Sequence, residues 1–153
     1  MASDNGYEIV IGTAADIEDI VRFQVAMAME SEGTALDVER VTAGVTAVMN
    51  DSNKGFYLVA KIADETTGSL MITKEWSDWN NQWYWWVQSV YVTPKFRNKG
   101  IFKSLYAKVK ELAASNSVSQ IRLYVDKTNT LAQSVYSNVG MAECHYIMLE
   151  EHI

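Results

Sequence analysis

Apolar residues recur along the chain with two periods, and the change from one to the other divides it into elements. "YEIVIG" (Tyr7 to Gly12) reads as a strand. Thr13 then opens "TAAD", a helix start of capping-box type with Asp16 where Glu or Gln is usual. Ile17, Ile20, Val21 and Ala28 share one side of the helix that follows, which should end near Gly33. Asp37 is placed to cap a second helix carrying Val38, Val41, Val45 and Val48. A meander of three strands comes next: "FYLVAKIA", then "SLMITKEW" after a turn at "DETTG", then "WYWWVQSVYV" after the polar "SDWNNQ". Pro94 stops the third strand, since proline donates nothing to a ladder. Ile101, Leu105, Val109 and Leu112 then mark a helix to about Ser115, "QIRLYVD" a strand, and "TNTLAQSVYSNVG" a short helix with Gly140 past its end. "MAECHYIMLEEH" is expected to close the chain as one more strand. The order predicts a mixed α/β (α+β) fold, one domain over residues 1–153, with a mostly antiparallel central sheet and about four helices.

Composition narrows the function classes. The 153 residues suffice for one core, and 48% hydrophobic with 21% charged residues is ordinary for a globular protein. A formal net charge of -6 disfavours nucleic acid as a partner, because a phosphate backbone needs a cationic face. No apolar run approaches the roughly 20 residues that cross a bilayer, and "MASDNGYE" does not look like a signal peptide. A cytoplasmic protein without membrane contact is the expectation. One cysteine, Cys144, permits no internal disulfide, and the two histidines, His145 and His152, make no metal-site pattern.

One short stretch stands out against this acidic background. "FRNKGIFKSL" (Phe96 to Leu105) places Arg97, Lys99 and Gly100 directly before a helix. The first N–H groups of a helix lack intrahelical partners and favour an anion, and a glycine lets the backbone approach a ligand closely. Either a solvated basic turn or a phosphate cradle fits these residues. The stretch is not a P-loop, and G-x-G-x-x-G is absent.

"VYVTPKFRNKGIFKSLY" resembles the acyl-CoA signature of the GNAT superfamily of N-acetyltransferases: a strand, R/Q-x-x-G-x-G/A, then a helix. "TNTLAQSVYSNVGM" resembles that family's N-x-x-A-x-x-x-Y-x-x-x-G-[FM] motif. The resemblance implies acetyl-CoA as cosubstrate and no metal. It implies that the backbone of Val90, Tyr91 and Val92 pairs with the pantetheine arm, and that Arg97, Asn98, Lys99, Gly100, Ile101, Phe102 and Lys103 form the pyrophosphate loop. It further implies that Asn129 caps the last helix beside the CoA arm, and that Tyr136 is the general acid for the thiolate. Two positions depart from the pattern. Phe102 replaces the usual Gly or Ala, so its ring must turn toward the protein, where Tyr106 is one helical turn away. Gln88 stands where some members have an acid that relays the amine proton. Glu75 is then the chosen base, with Asp78, Glu30, Glu32 or a water chain held by Gln88 and Ser89 as alternatives.

Five tryptophans lie between Trp76 and Trp86, and about half should fill the core. Trp76 and Trp79 border a polar loop, where their faces, with the carboxylates Glu75 and Asp78 nearby, could hold a cationic amine of a small molecule or peptide; Trp76, Glu30 and Gln88 are expected on the acceptor side. Exposed aromatics would equally serve a homodimer contact. The leading expectation is direct acetyl transfer to a primary amine. The alternatives are a catalytically degenerate acyl-CoA sensor of the same fold and an unrelated nucleotide-phosphate binder.

Overall fold

The computed structural model describes residues 6–153. The chain divides into two compact units, one reaching to Leu123 and the other running from Tyr124 to Ile153.

The first unit is built on a five-stranded sheet in sequence order. Its strands are β1 (Glu8–Ile11), β2 (Phe56–Ile62), β3 (Glu65–Ser77), β4 (Gln82–Val92) and β5 (Val118–Arg122). The first four pair antiparallel, and β5 pairs parallel to β4. α1 (Ile17–Glu32) and α2 (Val38–Asn50) connect β1 to β2, and α3 (Ile101–Ser115) connects β4 to β5.

Side-chain alternation in the strands sorts the core into two layers. Leu58, Leu70, Ile72, Trp85 and Val87 pack with Ile101, Leu105 and Val109 of α3. Tyr57 and Val59 point the other way and pack with Ile20, Val21, Val45 and Val48 of α1 and α2. The sheet is thus covered by α3 on one face and by α1 and α2 on the other. Trp85 alone among the five tryptophans is buried, fewer than the half expected: Trp79 lies in the turn between β3 and β4, and Trp76 and Trp83 pair beside that turn at the ends of their strands.

Local signals account for most element ends. Gly33 takes the left-handed conformation (φ 63°) that ends α1, and Thr34 N–H reaches back to Ala28 O. Asp37 accepts from the N–H groups of Glu39 and Arg40 and so caps α2. The Asp16 carboxylate accepts from Thr13 N–H (2.8 Å) and forms an ion pair with Lys61 (2.7 Å). Burial of Asp16 opposes ionisation, but the Lys61 ammonium and Thr13 outweigh it and hold the carboxyl below its ordinary range. Stability from this group is therefore present above its unfolded pKa of about 4 and is lost as pH falls through the lower folded value. Asp16→Asn is expected to lower unfolding stability in urea by about 2–3 kcal/mol at pH 7. The difference from wild type should shrink in the acid range.

Three sequence expectations are corrected. "DETTG" is not all turn: only Ala63 and Asp64 turn, and Glu65 to Gly68 already pair in β3. The β-branched Thr66 and Thr67 are buried there, and Thr67 donates to Ala60 O. β5 stops at Arg122 rather than Asp126, and its pairing with β4 also ends at Trp86–Arg122. Met141–Ile153 forms no strand, because it has no pairing partner among the described residues. The second unit therefore contains one regular element, α4 (Thr130–Asn138).

Candidate functional site: an open strand edge and a basic helix entry

β4 changes register as it passes Leu70. Met71 faces Gln88 and Ser69 faces Tyr91, so both Ser89 and Val90 oppose Leu70 in a β-bulge. Ser89 adopts a positive φ of 53°, a conformation costing roughly 1 kcal/mol for a non-glycine residue. On its other side β4 pairs with β5 only from Trp83 to Trp86. From Val87 to Val92 that edge has no strand neighbour among the described residues, which leaves room for an extended ligand to pair along it, although Val92 O already accepts from the Arg97 side chain. Val90, Tyr91 and Val92 lie on this stretch. The bulge at Ser89 escaped sequence reasoning, since no glycine marks it.

β4 leads into the basic turn. Pro94–Phe96 make one 3-10 turn with Phe96 buried. Asn98 (φ 61°) and Gly100 (φ 81°) are both left-handed, so the backbone turns sharply twice just ahead of α3. Gly100 sits at the N-cap of α3 and no side chain caps the helix, leaving its first turn for a ligand to satisfy. Tyr7 Oη donates to Lys99 O at 3.0 Å and fixes the loop from the side of β1. Lys99 and Lys103 are exposed. Phe102 is half-buried against the α3 core layer and stacks on Tyr106 at 6.0 Å, so its ring does turn toward the protein.

Arg97 is differently placed. Its Nη2 forms an ion pair with Glu30 at 2.7 Å, its Nε donates to Val92 O at 2.8 Å, and its guanidinium lies 5.3 Å from the Tyr91 ring. Glu30 also accepts from Tyr91 Oη at 3.0 Å. The Arg97 hydrogen bond, against slight burial, holds the Glu30 carboxyl below its usual range. Burial and the Glu30 carboxylate together raise the Tyr91 phenol. A residue expected at the phosphate and one expected at the acceptor are thus bonded to each other, tying the end of α1 to the loop.

The acceptor-side residues separate. Thr73 and Glu75 share a sheet face with Tyr84, Trp86, Gln88 and Arg122. Glu75 accepts from Trp86 Nε1 (3.0 Å) and from Arg122 Nη1 (3.2 Å), so both its oxygens are engaged. Gln88 donates to Thr73 Oγ1 at 2.7 Å. Trp76 is on the opposite face, half-exposed, edge-on to Trp83 at 4.9 Å. Trp76 and Glu75 therefore do not form the joint amine site expected of them, because adjacent strand residues point apart. Asp78 is exposed in the turn between β3 and β4. Along β3, Glu75 is about 16 Å from Leu70, which faces the bulge.

In the second unit, Asn129 caps α4, its Oδ1 accepting from Ala132 N–H at 3.1 Å. Tyr136 is half-buried, and burial raises its phenol above the ordinary value. It therefore stays protonated through neutral pH and well into the alkaline range. No group of three or more His, Cys, Asp or Glu among the described residues is arranged for a metal, and no described helix is long and apolar enough to cross a membrane.

Comparison with known proteins agrees with this architecture. The model of the acetyltransferase (GNAT) family matches residues 25–141. The chain belongs to that family. A crystal structure of a possible acetyltransferase from Clostridium difficile 630 is 38% identical, with a TM-score of 0.91 over 96% of this chain and 97% of that one. The thialysine N-epsilon-acetyltransferase of Caenorhabditis elegans is 28% identical over 92 residues. That match takes in 60% of this chain and 56% of that protein, so the chain spans only about half the length of this relative. An aminoglycoside acetyltransferase from an uncultured soil metagenomic sample, solved with sisomicin, shares the fold at 16% identity, with a TM-score of 0.80 over 98% of each chain.

Proposed function

We propose that the protein is an N-acetyltransferase that transfers the acetyl group of acetyl-CoA directly to a primary amine of a small molecule or peptide. The observation that carries this reading is the uncapped, doubly left-handed entry to α3 immediately after a strand with an open edge. The cradle fits a pyrophosphate: backbone N–H groups from Gly100 onward hold it, and Lys99 and Lys103 add charge. Arg97 serves the loop through its backbone, while its side chain anchors that loop to Glu30 and Val92. The open edge at Val90, Tyr91 and Val92 suits the amide-bearing pantetheine arm, paired as an added strand.

Acetyl-CoA supplies an acyl group activated as a thioester. The amine adds to the thioester carbonyl, a C–N bond forms and the nitrogen gives up a proton to water; the C–S bond breaks, the thiolate takes a proton from the Tyr136 phenol, and water returns a proton to the phenolate. Backbone N–H groups at the bulged edge of β4 stabilise the oxyanion. The acceptor reaches the site mostly as an ammonium and must lose a proton before it attacks. Both Glu75 oxygens are engaged, which favours proton departure through water beside Gln88 and Ser89 over direct transfer to Glu75. Glu75→Gln is accordingly expected to keep kcat within about threefold of wild type, whereas loss of a general base costs about a hundredfold or more. The amine acceptors in the names of the thialysine and aminoglycoside enzymes support a small polyfunctional amine here.

The engagement of Glu75 also favours a second reading, an acyl-CoA sensor without turnover. Thiol release from acetyl-CoA over a panel of diamines, amino acids, aminoglycosides and peptides separates the two. Release that depends on the amine supports the enzyme, and saturable binding without release for any amine supports the sensor.

A further inference from the structure

Polar side chains buried in the sheet and its helices mostly have partners. The Asp16 carboxylate has Lys61 and Thr13, Thr67 Oγ1 donates to Ala60 O, and Ser77 Oγ accepts from Asn80 N–H. Among the described residues, two buried side-chain atoms have no hydrogen-bond partner: Gln24 Nε2 and Ser69 Oγ. Gln24 is 8% exposed and Ser69 is fully buried. A buried polar group left unpaired is costly, so the two call for an explanation.

Both lie in the layer between α1 and the sheet. Ser69 pairs directly with Val59 of β2 and with Tyr91 of β4. Residues directly opposite in neighbouring strands point to the same face. Val59 packs with Ile20 and Val21 of α1, and the Phe23 ring lies 5.3 Å from that of Tyr91. Ser69 is thus the middle of a row of three side chains under α1. Gln24 follows Ile20 and Val21 by one helical turn and is buried on their side of α1. Although the two share this layer, no hydrogen bond joins them, and Tyr91 Oη donates to Glu30. Ser69 is the smallest side chain of its row, so it fills less of the layer than Val59 and Tyr91 beside it.

A neutral amide and a hydroxyl have the chemistry to hold a water molecule, which accepts from the amide N–H and shares a second hydrogen bond with the hydroxyl. We propose that one ordered water is bound between α1 and β3, bridging Gln24 Nε2 and Ser69 Oγ. It ties α1 to the centre of the sheet, in the same row as Tyr91. This inference does not rest on the acyl-transfer reading.

An orphaned group and a water-bonded group respond to removal with opposite signs. Replacing an orphan by an apolar residue of similar size relieves its desolvation and stabilises the fold, whereas replacing a bridged group strips the water of a partner and destabilises it. The test is urea unfolding of the full-length chain as wild type, Gln24→Met, Ser69→Ala and the double variant. Met and Gln have similar helix propensity, so Gln24→Met leaves α1 itself unbiased. Each single substitution should lower the folding equilibrium constant by about 2- to 10-fold. The double variant should cost less than the product of the two, since it removes the water together with both partners. A crystal structure of the wild type should show one solvent peak about 2.7–3.2 Å from both atoms. A single variant as stable as wild type or more stable, or costs that simply multiply, would overturn the proposal. So would a crystal structure with Gln24 bonded directly to Ser69 or with no solvent peak between them.

Discussion

Tyr136→Phe should lower kcat by about a hundredfold or more while leaving the acetyl-CoA dissociation constant within about twofold. The substitution keeps the ring and its packing and removes only the proton donor. The departing thiolate has a far lower proton affinity than an amide nitrogen, so the penalty belongs near the lower end of the general-acid range. The pH profile supplies an independent check. Burial raises the phenol, so the acid form persists above the ordinary tyrosine value of about 10, and kcat should not fall on the alkaline side before that point. A kcat unchanged in the phenylalanine variant would remove Tyr136 from the acid role. A lost affinity with unchanged kcat would make it a binding residue.

Gly100→Val should weaken acetyl-CoA binding by roughly 10- to 100-fold with a smaller effect on kcat at saturation. Gly100 has φ 81°, where a β-branched residue is strained, and it is the N-cap of a helix that no side chain caps. Forcing the loop out of this conformation turns away the N–H groups that would hold the pyrophosphate. Each hydrogen bond to a charged group is worth about 1.5–3 kcal/mol, so losing even one sets the lower bound. Lys103→Ala, which leaves the backbone in place, should cost less, and its effect should fade as salt is raised. Unchanged affinity in Gly100→Val would count against the cradle.

The elements visible in the sequence were those whose ends are set locally. Gly33, Asp37, Pro94, Gly100 and Asn129 each act through their own conformation or a hydrogen bond within three residues, and each sits where the sequence placed it. The pairings that shape the site join residues far apart in the chain. Glu30 and Arg97 are 67 positions apart, Glu75 and Arg122 are 47 apart, and no local pattern links either pair. The bulge was hidden for a related reason, since a serine in the left-handed region is imposed by register between two strands rather than by its own preference. "QIRLYVD" and "MAECHYIMLEEH" have the composition of strands, but a strand exists only with a neighbour. The pairing of β5 with β4 ends at Arg122 and the terminal segment pairs with no strand among the described residues, so propensity alone overstated both.

Isothermal titration of the wild-type chain with acetyl-CoA, alongside ATP at the same concentrations, tests the central claim most directly. The predicted result is saturable binding of one acetyl-CoA per chain, with heat that diminishes in Gly100→Val, and no comparable binding of ATP. Binding of ATP with none of acetyl-CoA would contradict the account and make the loop after β4 a site for nucleotide phosphates of another kind.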